Sequence, residues 1–139
     1  MKTSRLLISV LLVSGLVAFS VGGAILFMPE LFYASYGIAL GNNASQMSEI
    51  RASGGALLGL GLMIALGAIW SELTFASAIT SCTVYVSYGL SRLLSLALDG
   101  APDISLVAAA ALELGIGAIS LFAFFRHLKT HKLTLPQER

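Results

Sequence analysis

Four apolar stretches, Leu6–Phe27, Ile50–Trp70, Leu73–Leu98 and Ile104–Phe125, alternate with short polar breaks along the chain. Each is long enough to cross a hydrocarbon core, which takes about 20 helical residues. The pattern therefore predicts an all-α, polytopic membrane protein: one domain over 1–139, built as a bundle of four transmembrane helices. Ala18-Phe19-Ser20 offers a signal-peptide cleavage site, but the first apolar run continues unbroken to Phe27. That is longer than the usual signal-peptide core of about 7–15 residues, so the first stretch reads as an uncleaved helix. Ser14, Ala18 and Gly22 recur along it at the small-residue spacing that lets helix backbones approach in lipid.

The third stretch departs from a plain membrane span. Ser81, Tyr85, Tyr88, Arg92, Ser95 and Asp99 recur at steps of three and four, so on a helix they form one polar stripe. Val84, Val86, Leu90, Leu93, Leu94 and Ala97 occupy the other side. An arginine at this depth costs roughly 2.5–3.5 kcal/mol unless it faces protein or water. The fourth stretch places Glu113 among the small residues Ala109, Ala110, Gly117 and Ser120, about 15 Å from its start at 1.5 Å per residue.

The breaks have their own chemistry. Pro29 ends the first helix, since proline cannot continue the hydrogen-bond ladder. The connector 28–49 holds Leu31, Phe32, Tyr33 and Tyr36, which predict a short interfacial helix. Ser45 or Ser48 is expected to cap the second helix. Gly55 and Gly59 make a GxxxG there, read as packing inside the bundle in preference to dimerisation. Ser71 and Glu72 form a tight turn into the third helix. Gly100 is suited to a left-handed residue at that helix's end, Pro102 blocks continuation, and Asp103 caps the fourth helix.

Composition agrees with the pattern. The 139 residues are 57% hydrophobic and 11% charged, with a mean hydropathy of +0.90. A soluble domain averages about 25% charged residues. One cysteine, Cys82, excludes an intramolecular disulfide and any cysteine metal cluster, and reads as a small apolar filler. No cofactor is called for. His127 and His131 are four apart in a basic tail, a metal pair lacking a third ligand, and a solvated tail against anionic lipid is the expected state. No nucleophile–histidine arrangement, phosphate loop or nucleic-acid-binding pattern is present, which speaks against catalysis and excludes a nucleic-acid partner.

The charges are sorted by position. Lys2, Arg5, Arg126, Lys129, Lys132 and Arg139 lie at the two ends of the chain, and four spans put both ends on one side. The positive-inside rule makes that side cytoplasmic, with an outer loop at 28–49 and a cytoplasmic tail at 126–139. Glu49, Arg51, Arg92, Asp99 and Glu113 then share the opposite half, with Tyr85 and Tyr88 as hydroxyl partners. Together they predict an outward-facing polar pocket for a small molecule or lipid head group. The same charges would alternatively neutralise one another as an architectural strut in a subunit of a membrane complex. A proton- or ion-coupled carrier is the third reading, and it lacks a visible inverted repeat.

Pro29-Glu-Leu-Phe-Tyr33 with Tyr36-Gly37, Glu49-Ile-Arg-Ala-Ser-Gly-Gly55, Tyr88-Gly-Leu-Ser-Arg-Leu-Leu-Ser95 and Asp99-Gly-Ala-Pro102 occur here together. In this combination the chain, from about Leu6 to Phe125, resembles the bacterial family known as domain of unknown function 4345. Glu113 matches the acidic position of that family's last helix. The resemblance implies a small four-span protein of the bacterial inner membrane and brings no activity or catalytic residue with it. A looser likeness to DoxX-type four-helix membrane proteins implies a quinone-like ligand as one candidate. Membrane lipids are the expected surroundings, and the Gly-rich helix faces are candidate surfaces for homo- or hetero-oligomers.

Overall fold

The computed structural model describes residues 5–132, with side chains as far as Lys129. Lys2, Arg139 and the tail from 133 lie outside the described residues, as do the side chains of His131 and Lys132. The chain forms α1 (Arg5–Phe27), α2 (Pro29–Ala34), α3 (Ala44–Ile69), a 3₁₀ turn at Ser71–Leu73, α4 (Thr74–Asp99) and α5 (Ile104–Lys132). Four of these helices are long and apolar enough to cross a membrane, which gives the all-α four-helix bundle of a multi-pass membrane protein. Leu16, Leu94, Leu98 and Phe122 are among the large side chains left exposed on the outside of the bundle, as a lipid environment allows.

Local chemistry sets the boundaries. Pro29 takes the first position of α2, where its missing N–H leaves no bond unmade. Gly37, at φ +73°, turns the chain out of α2. Helix α3 starts at Ala44, ahead of the apolar pattern, because Asn43 caps it in place of Ser45 or Ser48. The Asn43 Oδ1 accepts the N–H groups of Ser45 at 2.9 Å and Gln46 at 3.3 Å. Asp103 caps α5 as expected, accepting the Ser105 N–H at 2.8 Å. Gly100 has positive φ, but its φ of 92° and ψ of −174° are extended and not left-handed helical. That region is essentially closed to residues with a Cβ.

Helix α5 outruns its apolar span by continuing to Lys132. Good helix formers such as Leu128 and Lys129 extend the ladder beyond the hydrophobic limit. The expected solvated tail is therefore helical where it begins, and His127 is buried within the fold.

Packing of α1 on α3 runs along both helices and is built on glycine. Gly15 lies against Ala65, Gly22 against Leu58 and Gly54, and Gly61 against Ala18 and Phe19. The partners in each helix, Gly15 with Gly22 and Gly54 with Gly61, are one heptad apart, so the contact face persists over two turns. Gly55 and Gly59 do not take part, and a Cβ at either position would meet nothing within 4 Å. The GxxxG thus faces away from the bundle, because Gly54 and Gly61 already occupy the contact side and Gly55 is turned about 100° from it.

The second pair, α4 with α5, closes through Gly89 against Leu114 and Gly117 against Val86. The two pairs are joined near the 3₁₀ turn, where Thr74 donates to the Gly67 carbonyl at 2.9 Å and Ser77 to that of Met63 at 2.7 Å. At the end holding the chain termini, Leu7, Leu11, Ile64, Ala78 and Ala123 bring all four long helices into one core. At the opposite, loop end, Ala18, Ile25, Leu57, Val84 and Tyr85 form a second cluster with Phe32 and Tyr33 of α2. Helix α5 adds only the partly buried Ile116 to it, and α5 is not packed against α3 among the described residues. The bundle is closed at one end and parted at the other.

Because Gly61 meets backbone and Gly59 meets open space, their replacement by leucine should differ in effect. Gly61→Leu is expected to destabilise by about 3 kcal/mol or more as overpacking. Gly59→Leu should stay within about 0.5 kcal/mol. Denaturant titration of helicity in mixed micelles measures both, and equal losses would refute the assigned contact face.

Candidate functional site

At the parted end the polar stripe of α4 turns inward, and its residues take different roles by depth. Deepest is Ser81, fully buried, whose hydroxyl donates to Ser14 Oγ at 3.1 Å and lies 3.0 Å from Ser120 Oγ. Ser14 donates in turn to the Val10 carbonyl at 2.7 Å. One turn higher, Tyr85 is buried and donates its hydroxyl to the Ser14 carbonyl at 2.6 Å. Helices α1, α4 and α5 are thus tied by a small hydrogen-bonded knot, satisfied internally as polar groups in lipid must be. Tyr85 is a strut between helices and not a hydroxyl partner of the charges above it.

Above the knot, Arg92 meets Glu113 through two parallel bonds. Its Nε donates to Oε2 at 2.6 Å and its Nη2 to Oε1 at 3.1 Å. This fork-to-fork geometry is the strong form of a charge pair. Gly89 and Gly117 let α4 and α5 approach closely enough for the two side chains to meet. The Glu113 side chain is 15% exposed and that of Arg92 31%, so the guanidinium is the more open partner.

The pair lies in the wall of a cavity of about 880 Å³. Val17, Val21, Leu57, Ala109 and Leu112 give it apolar walls, while Tyr33, Tyr36, Tyr88, Ser53 and Ser105 add hydroxyls. Phe32 of α2 also lines it, held edge-on against Tyr33 at 5.6 Å and Tyr36 at 5.2 Å. A smaller cavity of about 460 Å³ between α4 and α5 shares Tyr88, Arg92 and Leu106 with the first. Both volumes fall in the range of small-molecule sites, about 300–1,000 Å³.

Three of the residues expected in this pocket do not line it. Glu49 is exposed on α3. Arg51 donates its guanidinium to the Leu26 carbonyl, one of the groups that the end of α1 leaves without a helical partner. Asp99 accepts a 2.9 Å bond from Ser95 at the exposed end of α4. The expected five-charge network therefore contracts to Arg92 and Glu113, and the charge lining the cavity goes from a formal −1 to zero. Sequence reading assigned Tyr33 and Tyr36 to a membrane interface and missed them as cavity residues. It also missed Ser53 and Ser105, for which the sequence gives no signal.

Asp103, in the loop before α5, sits beside this site without lining it. The Ser105 backbone N–H, joined by the Ser105 side chain, holds its carboxyl below the usual carboxylate range. Its capping contribution is complete above the ordinary carboxylate pKa and is lost as pH falls through the lowered one. Cys82 is buried in α4. No group of three metal-ligating side chains occurs among the described residues.

A family model described as "Domain of unknown function (DUF4345)" matches residues 7–124. No curated protein and no solved structure matches the chain, so the looser likeness to DoxX-type proteins has no support from them.

Removing one member of the pair strands the other's charge. Arg92→Leu or Glu113→Leu alone is expected to destabilise by about 3 kcal/mol. The double substitution should recover most of that loss, since a charge pair can often be replaced by packed apolar residues. Simple addition of the two single losses in denaturant titrations would show that the side chains are not coupled. Tyr85→Phe should lose about 1 kcal/mol in the same measurement through the bond to Ser14.

Proposed function

The chain belongs to the family described as domain of unknown function DUF4345, and we propose that it is a membrane-embedded, non-enzymatic binding or accessory protein. Its loop-end cavity receives a small amphipathic molecule or a lipid head group. The observation that carries this reading is the cavity of about 880 Å³ with apolar walls and the half-open Arg92–Glu113 pair set into one of them. Binding sites combine these same features, a largely apolar enclosure and a few fixed polar groups. A tie between α4 and α5 requires the pair alone. It does not require the apolar volume in front of it.

The bidentate bond itself favours a second reading, in which the pair is an architectural strut of a membrane-complex subunit. The two readings part in the double variant Arg92→Leu/Glu113→Leu, which retains the fold in both but loses ligand only if the pair is part of a site. For orientation we propose a bacterial inner-membrane protein with both termini cytoplasmic, supported by Arg5, Arg126 and Lys129 at one end of the bundle. The cavity then opens toward the outer side.

Protein purified from bacterial membranes should carry an extractable small molecule, identifiable by mass spectrometry. Ala109→Trp, which fills the cavity, should lower its amount roughly tenfold at unchanged helicity, matching a loss of about 1.4 kcal/mol in affinity. Equal amounts in both proteins would refute the binding reading. In a Cys82→Ala background, a membrane-impermeant thiol reagent added outside is expected to label Asn43→Cys and not Lys132→Cys. Labelling of both would overturn the orientation.

A further inference from the structure

The charges lining the cavity restrict what it can hold. Among the described residues Arg92 and Glu113 are its only charged side chains, and each neutralises the charge of the other. We infer that the cavity selects an uncharged amphipath whose polar end accepts hydrogen bonds, and that it discriminates against anionic and cationic heads. This inference rests on reading the cavity as a binding site.

A phosphate or sulfate head would have two options here. It could pull Arg92 away and strand Glu113, or it could lie beside a pair of zero net charge. Neither offsets the removal of a charge from water. Arg51, the other cation at this end among the described residues, is bound to the Leu26 carbonyl and does not line the cavity. An ammonium head faces the same difficulty with Glu113. An uncharged head has no such penalty and still finds donors. A guanidinium carries five N–H groups, and Glu113 takes one from Nε and one from Nη2, so three remain. Tyr88, lining both cavities beside Arg92, adds a hydroxyl that can donate or accept. Carbonyl, ester or polyol oxygens match this set. The apolar tail then lies along Val17, Val21, Leu57 and Leu112.

The test uses the full chain in phosphatidylcholine nanodiscs with three photoreactive probes of one chain length: a monoacylglycerol, an alkyl sulfate and an alkyl trimethylammonium, each with a diazirine in the chain. Adducts are located by peptide mass spectrometry. The monoacylglycerol is expected to label the peptides containing residues 17–21 and 108–112 roughly tenfold more than either charged probe, which corresponds to about 1.4 kcal/mol. Comparable labelling by the sulfate or the ammonium probe would overturn the selection for uncharged heads and leave the binding reading standing. Absence of adducts in these peptides with every probe would overturn both. In the folded double variant Arg92→Leu/Glu113→Leu, which lacks the guanidinium donors, monoacylglycerol labelling of these peptides should fall to the level of the charged probes. Persistence of the preference would remove the pair as the selecting element.

Discussion

A guanidinium held partway down a membrane-spanning helix must be neutralised, and the loop-end half of this bundle is arranged around that requirement. Arg92 is answered by Glu113 from the neighbouring helix in a bidentate bond, and this fixes α4 and α5 in one rotational setting. The setting aims Gly89 and Gly117 into the α4–α5 seam and turns Tyr88 toward the cavity. It also directs Ser81 and Tyr85, lower on the same stripe, into the knot with Ser14 and Ser120. Charge neutralisation near one end and hydrogen-bond satisfaction near the middle are thus met by one face of one helix.

The cavity is a consequence of unequal packing between helix pairs. In lipid there is little hydrophobic drive to bring helices together, so contact depends on close backbone approach and polar bonds. Along α1 and α3, Gly15, Gly22, Gly54 and Gly61 supply that approach. Between the two pairs, the shared apolar core lies at the terminal end, while α5 leaves the common core above Ile116. Side chains shorter than the gap, such as Ala108 and Ala109, then face apolar residues of α1 and α3 across open volume. Helix α2 borders this volume with Phe32, Tyr33 and Tyr36.

Arg51 shows how a reasonable electrostatic expectation can be displaced. Its position on α3 is compatible with a place in a polar cluster, and its charge would have balanced Glu49 or Asp99. The last carbonyls of α1 lie within reach instead, and the helix end leaves them without intrahelical partners, so they accept from a nearby donor. Leu26 takes the guanidinium. Asp99, one turn from Ser95, is satisfied locally in the same way. The charge left in the cavity is consequently zero, which makes the uncharged class of ligand the natural match.

Much of the fold was legible along the chain because its causes are local. Apolar length, Pro29, the Asp103 cap and the 3.6-residue stripe on α4 each act through neighbours in sequence, and the structure follows them closely. The pairing of Arg92 with Glu113 was also legible, since few groups in an apolar bundle can neutralise a charge. Other features depended on which faces meet across helices, and nothing within one helix specifies that. Gly54 and Gly61, not Gly55 and Gly59, lie in the α1–α3 contact; Tyr85 bonds Ser14; Arg51 turns to Leu26. Sequence by itself determined the elements and the need for a charge partner, because these follow from periodicity and solvation. Only the tertiary structure decided the rotation of each helix against its neighbours, and with it the shape, lining and charge of the cavity.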